Sequence, residues 1–463
     1  MTDGPVRNQS TFSKPLMSKE KVGRPTLTAK ELENSFPLIP QRRFGTREGK
    51  ALVAEIVKAL RHGEVRERAR KAADETRYHD TVEALIANLA AAYLNTYDPE
   101  RLVGVGFNNS AYAGTGMQVE TMRALRDYLN REGLIELWDG YHRREDERGG
   151  AYGRNTRIRS SAKLQHWFDA AGITCRSFAL PDSAIIRMKE APGDLPAVPD
   201  DVEASRALLI AINRRLANTD MLILDGGHDL QVDDRADEEE AATLNAFKGD
   251  RSACQLYRSF KGGWGLGGRI YGGWWMSESK EARSRIHLDG EETVELDYAS
   301  LHPRLLFNRA GYALEVDPYM VPGLDFPGAR DLGKRTFNRL LNRKQDDPEK
   351  RLKLRAGGKK DKKGKVRDNQ VLPKGLSFQA YLDRLLGHLH QFQEHFGTGA
   401  GMTLQRLDSD IALGVLTRME AHGVPVLPVH DSFIVPLSAR VELAEAMRDS
   451  YRDLVGFDPV ISG

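Results

Sequence analysis

The sequence predicts an α+β protein: helices flanking a small antiparallel sheet, preceded by an N-terminal unit of helices and a hairpin. Three observations predict it. Apolar residues recur at helical spacing, as in Leu52, Ile56 and Leu60 and again in Val82, Leu85, Ile86, Leu89 and Tyr93. Two apolar runs, ending near Asp297 and centred on Asp431, read as strands with a carboxylate at the polar end. Between residues 120 and 159 a helix, a strand, a basic turn and a second strand follow one another, the order of a winged-helix unit. A chain of 463 residues has room for two or three domains and an ample core.

Each element follows from local composition. Residues 1–45 are polar, basic and broken by Pro5, Pro15, Pro25, Pro37 and Pro40, and read as a disordered tail without the apolar stretch of a secretory signal. The N-terminal unit spans 46–190. Glu120 to Arg131 is an amphipathic helix with Met122, Leu125, Tyr128 and Leu129 on one face, ended by Gly133. Leu134 to Trp138 alternates like a strand, a turn rich in glycine follows, and Arg154 to Arg159 is the return strand. A hairpin wing can lie along a phosphate backbone, and Arg154, Arg157 and Arg159 suit that use. A helix-plus-hairpin domain with a solvated basic face is the other reading. Residues 191–203, rich in proline, form a linker. Ala204 to Leu216 is helical again and opens a region, 204–260, expected to be a helical thumb-like unit. Asp233 to Ala242 is an acidic, solvated run, and no internal repeat is present.

Composition excludes several classes. No apolar run approaches the roughly 18 residues of a membrane span, so no membrane association is expected. Cys175 and Cys254 are the only cysteines, which excludes a disulfide framework or a cysteine zinc site and suits a reducing cytoplasm. The net charge of +2 averages over an uneven distribution: Lys334 to Lys374 alone holds 16 Lys and Arg against 5 Asp and Glu. Such a basic loop binds phosphates without sequence preference and with strong salt dependence.

Four segments carry the chemistry. In Val294 to Arg304 a strand ends in Asp297, and Pro303 stands where the next helix starts. In Val424 to Pro436 apolar flanks surround His430, Asp431 and Ser432, as in a hairpin with a polar tip. Aspartates from neighbouring strands can hold two divalent ions; a helix cap and a plain turn are the alternatives. Arg330 and Lys334, four apart, share one helical face and present two cations suited to a triphosphate. Leu404 to Ile411 opens a helix that precedes the hairpin and contains Gln405 and Asp410.

In that order, the four segments resemble the palm and fingers of family A DNA polymerases and of phage-type single-subunit RNA polymerases. Asp297-Tyr298-Ala299-Ser300-Leu301-His302-Pro303-Arg304 is similar to the first metal motif, Asp-Tyr-Ser-Gln-Ile-Glu-Leu-Arg in the family. Arg330-x-x-x-Lys334-Arg335-Thr336 is similar to the fingers helix, Gln405-x-x-x-x-Asp410 to a helix beside the primer–template, and Val429-His430-Asp431-Ser432 to the second metal motif. The resemblance spans about residues 260–440. It implies a right-hand fold, with a thumb at 204–260, a palm at 261–327 and 400–463, and fingers at 328–399.

It also implies roles. Asp297 and Asp431, with the Tyr298 carbonyl, would hold two Mg²⁺ ions, with Mn²⁺ as a substitute. Lys334 would neutralise the departing phosphates and Arg330 grip the γ-phosphate. His430 would steady the primer terminus, Gln405 would probe the minor groove, and Arg269, in a Gly-Arg segment, would contact primer or substrate. The partners would be a primer–template nucleic acid and a dNTP or NTP. Two departures stand out. His302 replaces the glutamate that excludes the ribose 2′-hydroxyl in DNA polymerases, and Asn342 replaces an aromatic residue of the fingers motif. No paired-acidic cluster in residues 1–260 resembles a proofreading exonuclease. The expected activity is primer extension by a DNA polymerase, in replication of a mobile element. An RNA polymerase or primase-like enzyme, and a DNA-binding replication initiator with an inactive palm, are the alternatives.

Overall fold

In the computed structural model, the described residues are 27–28, 31–32, 35–64, 68–95, 100–108, 112, 115–143, 152–191, 193–224, 250–342 and 372–463. They form a mixed α/β structure whose sheets are largely antiparallel. The centre of the basic loop, 343–371, and the acidic run at 233–242 lie outside them.

The N-terminal unit starts earlier than the sequence suggests. Strand β1 (Ser35–Pro37) pairs in parallel with β2 (Leu102–Val105), and Arg43–Phe44 pairs with Phe178–Ala179. The disordered-tail reading of 1–45 is therefore corrected over 35–44: Phe36 and Phe44 are buried and pull this stretch onto the core. Helices α1 (Arg47–His62) and α2 (Ala72–Tyr93) carry the expected apolar stripes. Thr46 caps α1 by accepting from the Gly49 N–H at 3.3 Å. From Thr81 to Ala92 every residue of α2 is buried, because its alanines let neighbours close in all round. Helix α3 (Val119–Arg131) ends as expected: Gly133 takes φ +65° and the Leu134 N–H reaches back to the Leu129 carbonyl at 2.8 Å. Strands β3 (Ile135–Trp138) and β4 (Thr156–Ser160) complete a sheet of order β1–β2–β4–β3, and α4 (Ala162–Ala170) packs behind it.

The C-terminal unit holds two sheets. Strand β5 (Ile186–Lys189) runs parallel to β7 (Cys254–Lys261), which pairs antiparallel with β8 (Gly267–Gly273). Helix α5 (Asp200–Asn218) begins inside the predicted linker, with Asp200, Asp201 and Glu203 in its first turn. It is pinned to β7 by Asn213, whose side chain exchanges two hydrogen bonds with the Leu256 backbone, at 2.9 and 2.7 Å. The expectation of a helical unit over 204–260 is corrected here. Strand β6 (Met221–Ile223) joins the second sheet, and 254–261 is a strand buried by Leu256, Tyr257 and Phe260.

The second sheet is antiparallel, in the order β6, β9 (Ile286–Leu288), β10 (Glu291–Tyr298), β12 (Ser432–Pro436), β11 (Leu427–Val429). Around it lie α6 (Leu301–Arg309), α7 (Ala329–Asn342), α8 (Phe378–His388), α9 (Ala400–Ala421) and α10 (Arg440–Val455), with strand β13 (Ile461–Ser462) beside β10. One core runs from Leu296 and Tyr298 through Phe337, Ile411 and Phe433 to Met447. Trp274 and Trp275 are core residues, and the Trp275 indole N–H donates to the Pro428 carbonyl at 2.9 Å.

Candidate active site

Central strand β10 pairs with β12 from Thr293 to Asp297, so that Asp297 lies opposite Ser432. The Tyr298 N–H continues the ladder to the Asp431 carbonyl at 3.1 Å. Val429 pairs with Ser432, which leaves His430 and Asp431 as a two-residue turn. Both predicted aspartates thus meet at one end of the sheet. The backbone is strained on either side of them: His430 has φ +59° and Ser300 has φ +52°, left-handed values that side chains other than glycine's rarely adopt.

The two carboxylates feel each other. Burial, then the charge of Asp431, push the Asp297 carboxyl up to about 7; Lys334 is the strongest counterweight and Lys280 a lesser one. Glu295, two residues earlier on the same strand face, is held by Arg283 at 2.8 and 2.9 Å and by the Ser432 hydroxyl at 2.8 Å. Burial works to raise the Glu295 carboxyl, but Arg283 overcomes it and the net shift is downward.

Helix α7 brings Lys334 to this end of the sheet. Arg330 shares its face but already bonds the Asp317 carboxylate at 2.5 Å, with the Tyr319 ring 5.5 Å below its guanidinium. Buried Tyr319 packs edge-on against Phe337 at 5.7 Å. Its phenol is pushed up by burial first and by Asp431 next. Gly333 permits this approach, since a Cβ there would run into the Tyr319 carbonyl oxygen. Asn342 lies at the far end of α7, where Nδ2 donates to the Asn338 carbonyl at 2.9 Å and the side chain packs on Gly401.

Strand β8 adds a second cluster. Arg269 and Tyr271 project from one face. The Tyr271 ring meets the His430 ring edge-on at 5.7 Å. The Arg269 guanidinium donates to Asp408 of α9 at 2.8 and 3.2 Å, and His302 Nε2 lies 2.8 Å from the same carboxylate. Gln405 is buried on α9, and Asp410 bonds the fully buried Arg258 at 2.6 Å and pairs with Arg406.

Of the predicted residues, the structure brings together Asp297, Tyr298, His430, Asp431 and Lys334, and joins Arg269 to His302 through Asp408. The hairpin arginines behave differently. Arg159 is engaged by Glu136 at 2.9 Å and by Glu100, and Arg157 donates to the Leu32 carbonyl at 2.8 Å. Arg154 stacks over Tyr141 at 5.2 Å and has no carboxylate partner among the described residues. Sequence reasoning missed Asp408, Tyr319, Lys280 and one further group. His79, Asp80 and Glu83 on α2 place ligand atoms within 4.8 Å of one another and could hold a metal ion. Arg43 lies 3.8 Å from both of these carboxylates, and Glu83 accepts from the Phe44 N–H at 2.9 Å.

Among the described residues no helix is long and apolar enough to cross a membrane. Neither family models, nor curated proteins, nor solved structures yielded a match to the chain.

Proposed function

We propose that the chain is a template-directed nucleotidyltransferase: a DNA-dependent polymerase that extends a primer 3′-hydroxyl, with a palm over the second sheet and fingers on α7. The observation that carries this reading is the carboxylate pair Asp297–Asp431 at strained backbone on one sheet end, faced by Lys334. Two adjacent carboxylates, one pushed up toward neutrality by burial first and by the other's charge next, form an oxygen-only donor set that fits a hard divalent cation. Asp297 and Asp431, with the Tyr298 carbonyl, would hold Mg²⁺ or Mn²⁺. When bound, such ions supply charge stabilisation of the attacking and leaving oxygens in an in-line displacement at phosphorus.

The chain's own groups do the rest. Lys334 offers a point charge to the departing phosphates. Arg330 reaches a γ-phosphate by exchanging Asp317 for it. His430, braced by Tyr271, steadies the primer end beside Asp431. In the N-terminal unit, α3 followed by β3, a hairpin and β4, in the sheet order β2–β4–β3, supports a winged helix. Arg154 is its phosphate contact at the hairpin. A DNA-binding unit joined to a small polymerase suits replication of a mobile element.

The test is extension of a primed DNA template with Mg²⁺ and dNTPs or rNTPs. Extension that Asp297→Ala and Asp431→Ala both abolish is the expected result. Wild-type protein inert on several template types would overturn it and favour a DNA-binding initiator.

A further inference from the structure

Four tyrosines lie in the core of the C-terminal unit: Tyr298, Tyr319, Tyr381 and Tyr451. A phenol taken out of water needs a partner for its hydroxyl. Three of the four find one inside the protein. Tyr298 donates to the Met447 carbonyl at 2.5 Å, Tyr451 donates to Asn308 Oδ1 at 2.7 Å, and the Tyr381 hydroxyl lies 3.5 Å from Thr336 Oγ1. Tyr319 is as deeply buried, at 3% exposed, and its hydroxyl has no hydrogen-bond partner among the described residues.

The rest of Tyr319 is held on every side. Its N–H donates to Asp317 Oδ1 at 3.0 Å, and the other oxygen of that carboxylate accepts from Arg330 at 2.5 Å. Its carbonyl rests against Gly333, where a Cβ would collide. Its ring meets Phe337 edge-on at 5.7 Å, and the Arg330 guanidinium stands 5.5 Å from the ring centre. The ring thus lies along α7 between Arg330 and Phe337, beside Lys334, the cation that faces Asp297. The hydroxyl looks the same way. After burial, Asp431 acts most strongly on the phenol, ahead of the Arg330 over its ring, and Asp297 adds to it. Both push the phenol up, so it stays protonated at neutral pH and can donate.

Packing does not call for this hydroxyl. Phenylalanine would make the same ring contacts without burying a donor. The donor stands where two cations of α7 and two carboxylates converge, and it bonds none of them. We propose that Tyr319 is a binding residue of this site, whose hydroxyl donates to an anionic phosphoryl oxygen of the compound held between α7 and the carboxylate pair. That the oxygen is phosphoryl rests on the nucleotidyl-transfer reading; the unpaired donor does not.

The experiment compares wild type with Tyr319→Phe as full chains, in two readouts. The first is urea unfolding. Tyr319→Phe should keep the wild-type midpoint or exceed it, whereas Tyr451→Phe, which takes the donor from buried Asn308, should lower it. A midpoint for Tyr319→Phe as low as that of Tyr451→Phe would show a hydroxyl bonded within the protein and overturn the proposal. The second readout is calorimetric titration with Mn²⁺ and then inorganic pyrophosphate. Tyr319→Phe should bind Mn²⁺ as wild type does and pyrophosphate about tenfold more weakly, the loss of one hydrogen bond to a charged oxygen. Equal pyrophosphate binding, or weaker Mn²⁺ binding by the variant, would overturn the role of Tyr319 and leave the nucleotidyl-transfer reading standing. Wild type that binds Mn²⁺ but no pyrophosphate would overturn the phosphoryl assignment. Wild type that binds neither would overturn the nucleotidyl-transfer reading and the phosphoryl assignment with it.

Discussion

Asparagine at position 431 should make the protein more stable and inactive at once. Asp297 is half-buried beside Asp431, and its carboxyl rises from 3.8 to about 7, with burial the first cause and Asp431 the second. At about 1.4 kcal/mol for each pH unit, that rise caps the cost of ionising Asp297 at roughly 4 kcal/mol. Water on its open side screens part of this, and Asp431 supplies the smaller share. Asp431→Asn is therefore expected to add about 1–2 kcal/mol at pH 8 in a chelator. The sign follows from proton linkage. The folded pKa lies above the unfolded one, so the native state holds the extra proton between pH 3.8 and about 7 and loses stability as pH rises through that window. The gain from Asp431→Asn should therefore be absent near pH 4 and full by pH 8. Urea unfolding of both proteins from pH 4 to 8 reads it directly. Added Mg²⁺ should stabilise the wild type and leave the variant unmoved. A variant less stable than wild type at pH 8 in chelator, or a difference flat with pH, would refute the electrostatic account of the site.

Three further outcomes are expected. Gly333→Ala should destabilise by about 1–3 kcal/mol in denaturant titrations, because a Cβ would push the Tyr319 backbone away; helix propensity alone predicts a gain of about 1 kcal/mol. Trp275→Phe should cost about 1–3 kcal/mol by leaving the buried Pro428 carbonyl without its 2.9 Å donor, and limited proteolysis should then cut the 427–436 hairpin first. Affinity for a random duplex should fall steeply between about 50 and 200 mM salt. Exchanging the lysines and arginines of 350–367 for glutamine should flatten that log–log slope, by about 0.9 for every phosphate the loop no longer neutralises.

The end of the sheet that carries Asp297 and Asp431 was legible because strand ends and hairpin tips are local. Val294 to Asp297 and Leu427 to Pro436 alternate or run apolar, and Pro303 marks the following helix, so both aspartates could be placed from sequence alone. The strand at 254–261 was missed because Gln255, Arg258 and Ser259 break its apolar pattern; Arg258 is wholly buried and satisfied by the Gly268 carbonyl of the next strand and by Asp410, which is far away in sequence. β1 was missed for a similar reason. Three residues ending in a proline read as coil, and only its parallel partner at 102–105 makes them a strand. Tyr319 lies in a stretch, 310–328, without periodicity, so nothing local marks it as a neighbour of the site. Asp408 is different: an acid at i+4 and i−3 from buried Leu404 and Ile411 was a readable signal that it would need a cation.

Folding alone gives no reason for the end of β10. Three unfavourable features coincide there: mutual repulsion between Asp297 and Asp431, a left-handed His430 and a left-handed Ser300. Each strained backbone residue costs on the order of 1–3 kcal/mol. Each has a cheaper substitute available to any drifting sequence, since asparagine relieves the charge and glycine the backbone. Elsewhere in the same unit buried charges are compensated, Glu295 by Arg283, Asp408 by Arg269 and His302, Arg258 by Asp410. Beside three neighbouring sites whose charges are satisfied, this carboxylate pair is balanced only in part, by Lys334 and Lys280, which on the proposed reading leaves room for a cation from outside. On the proposed reading a divalent ion would relieve the repulsion that remains, and the same ion would serve nucleotidyl transfer.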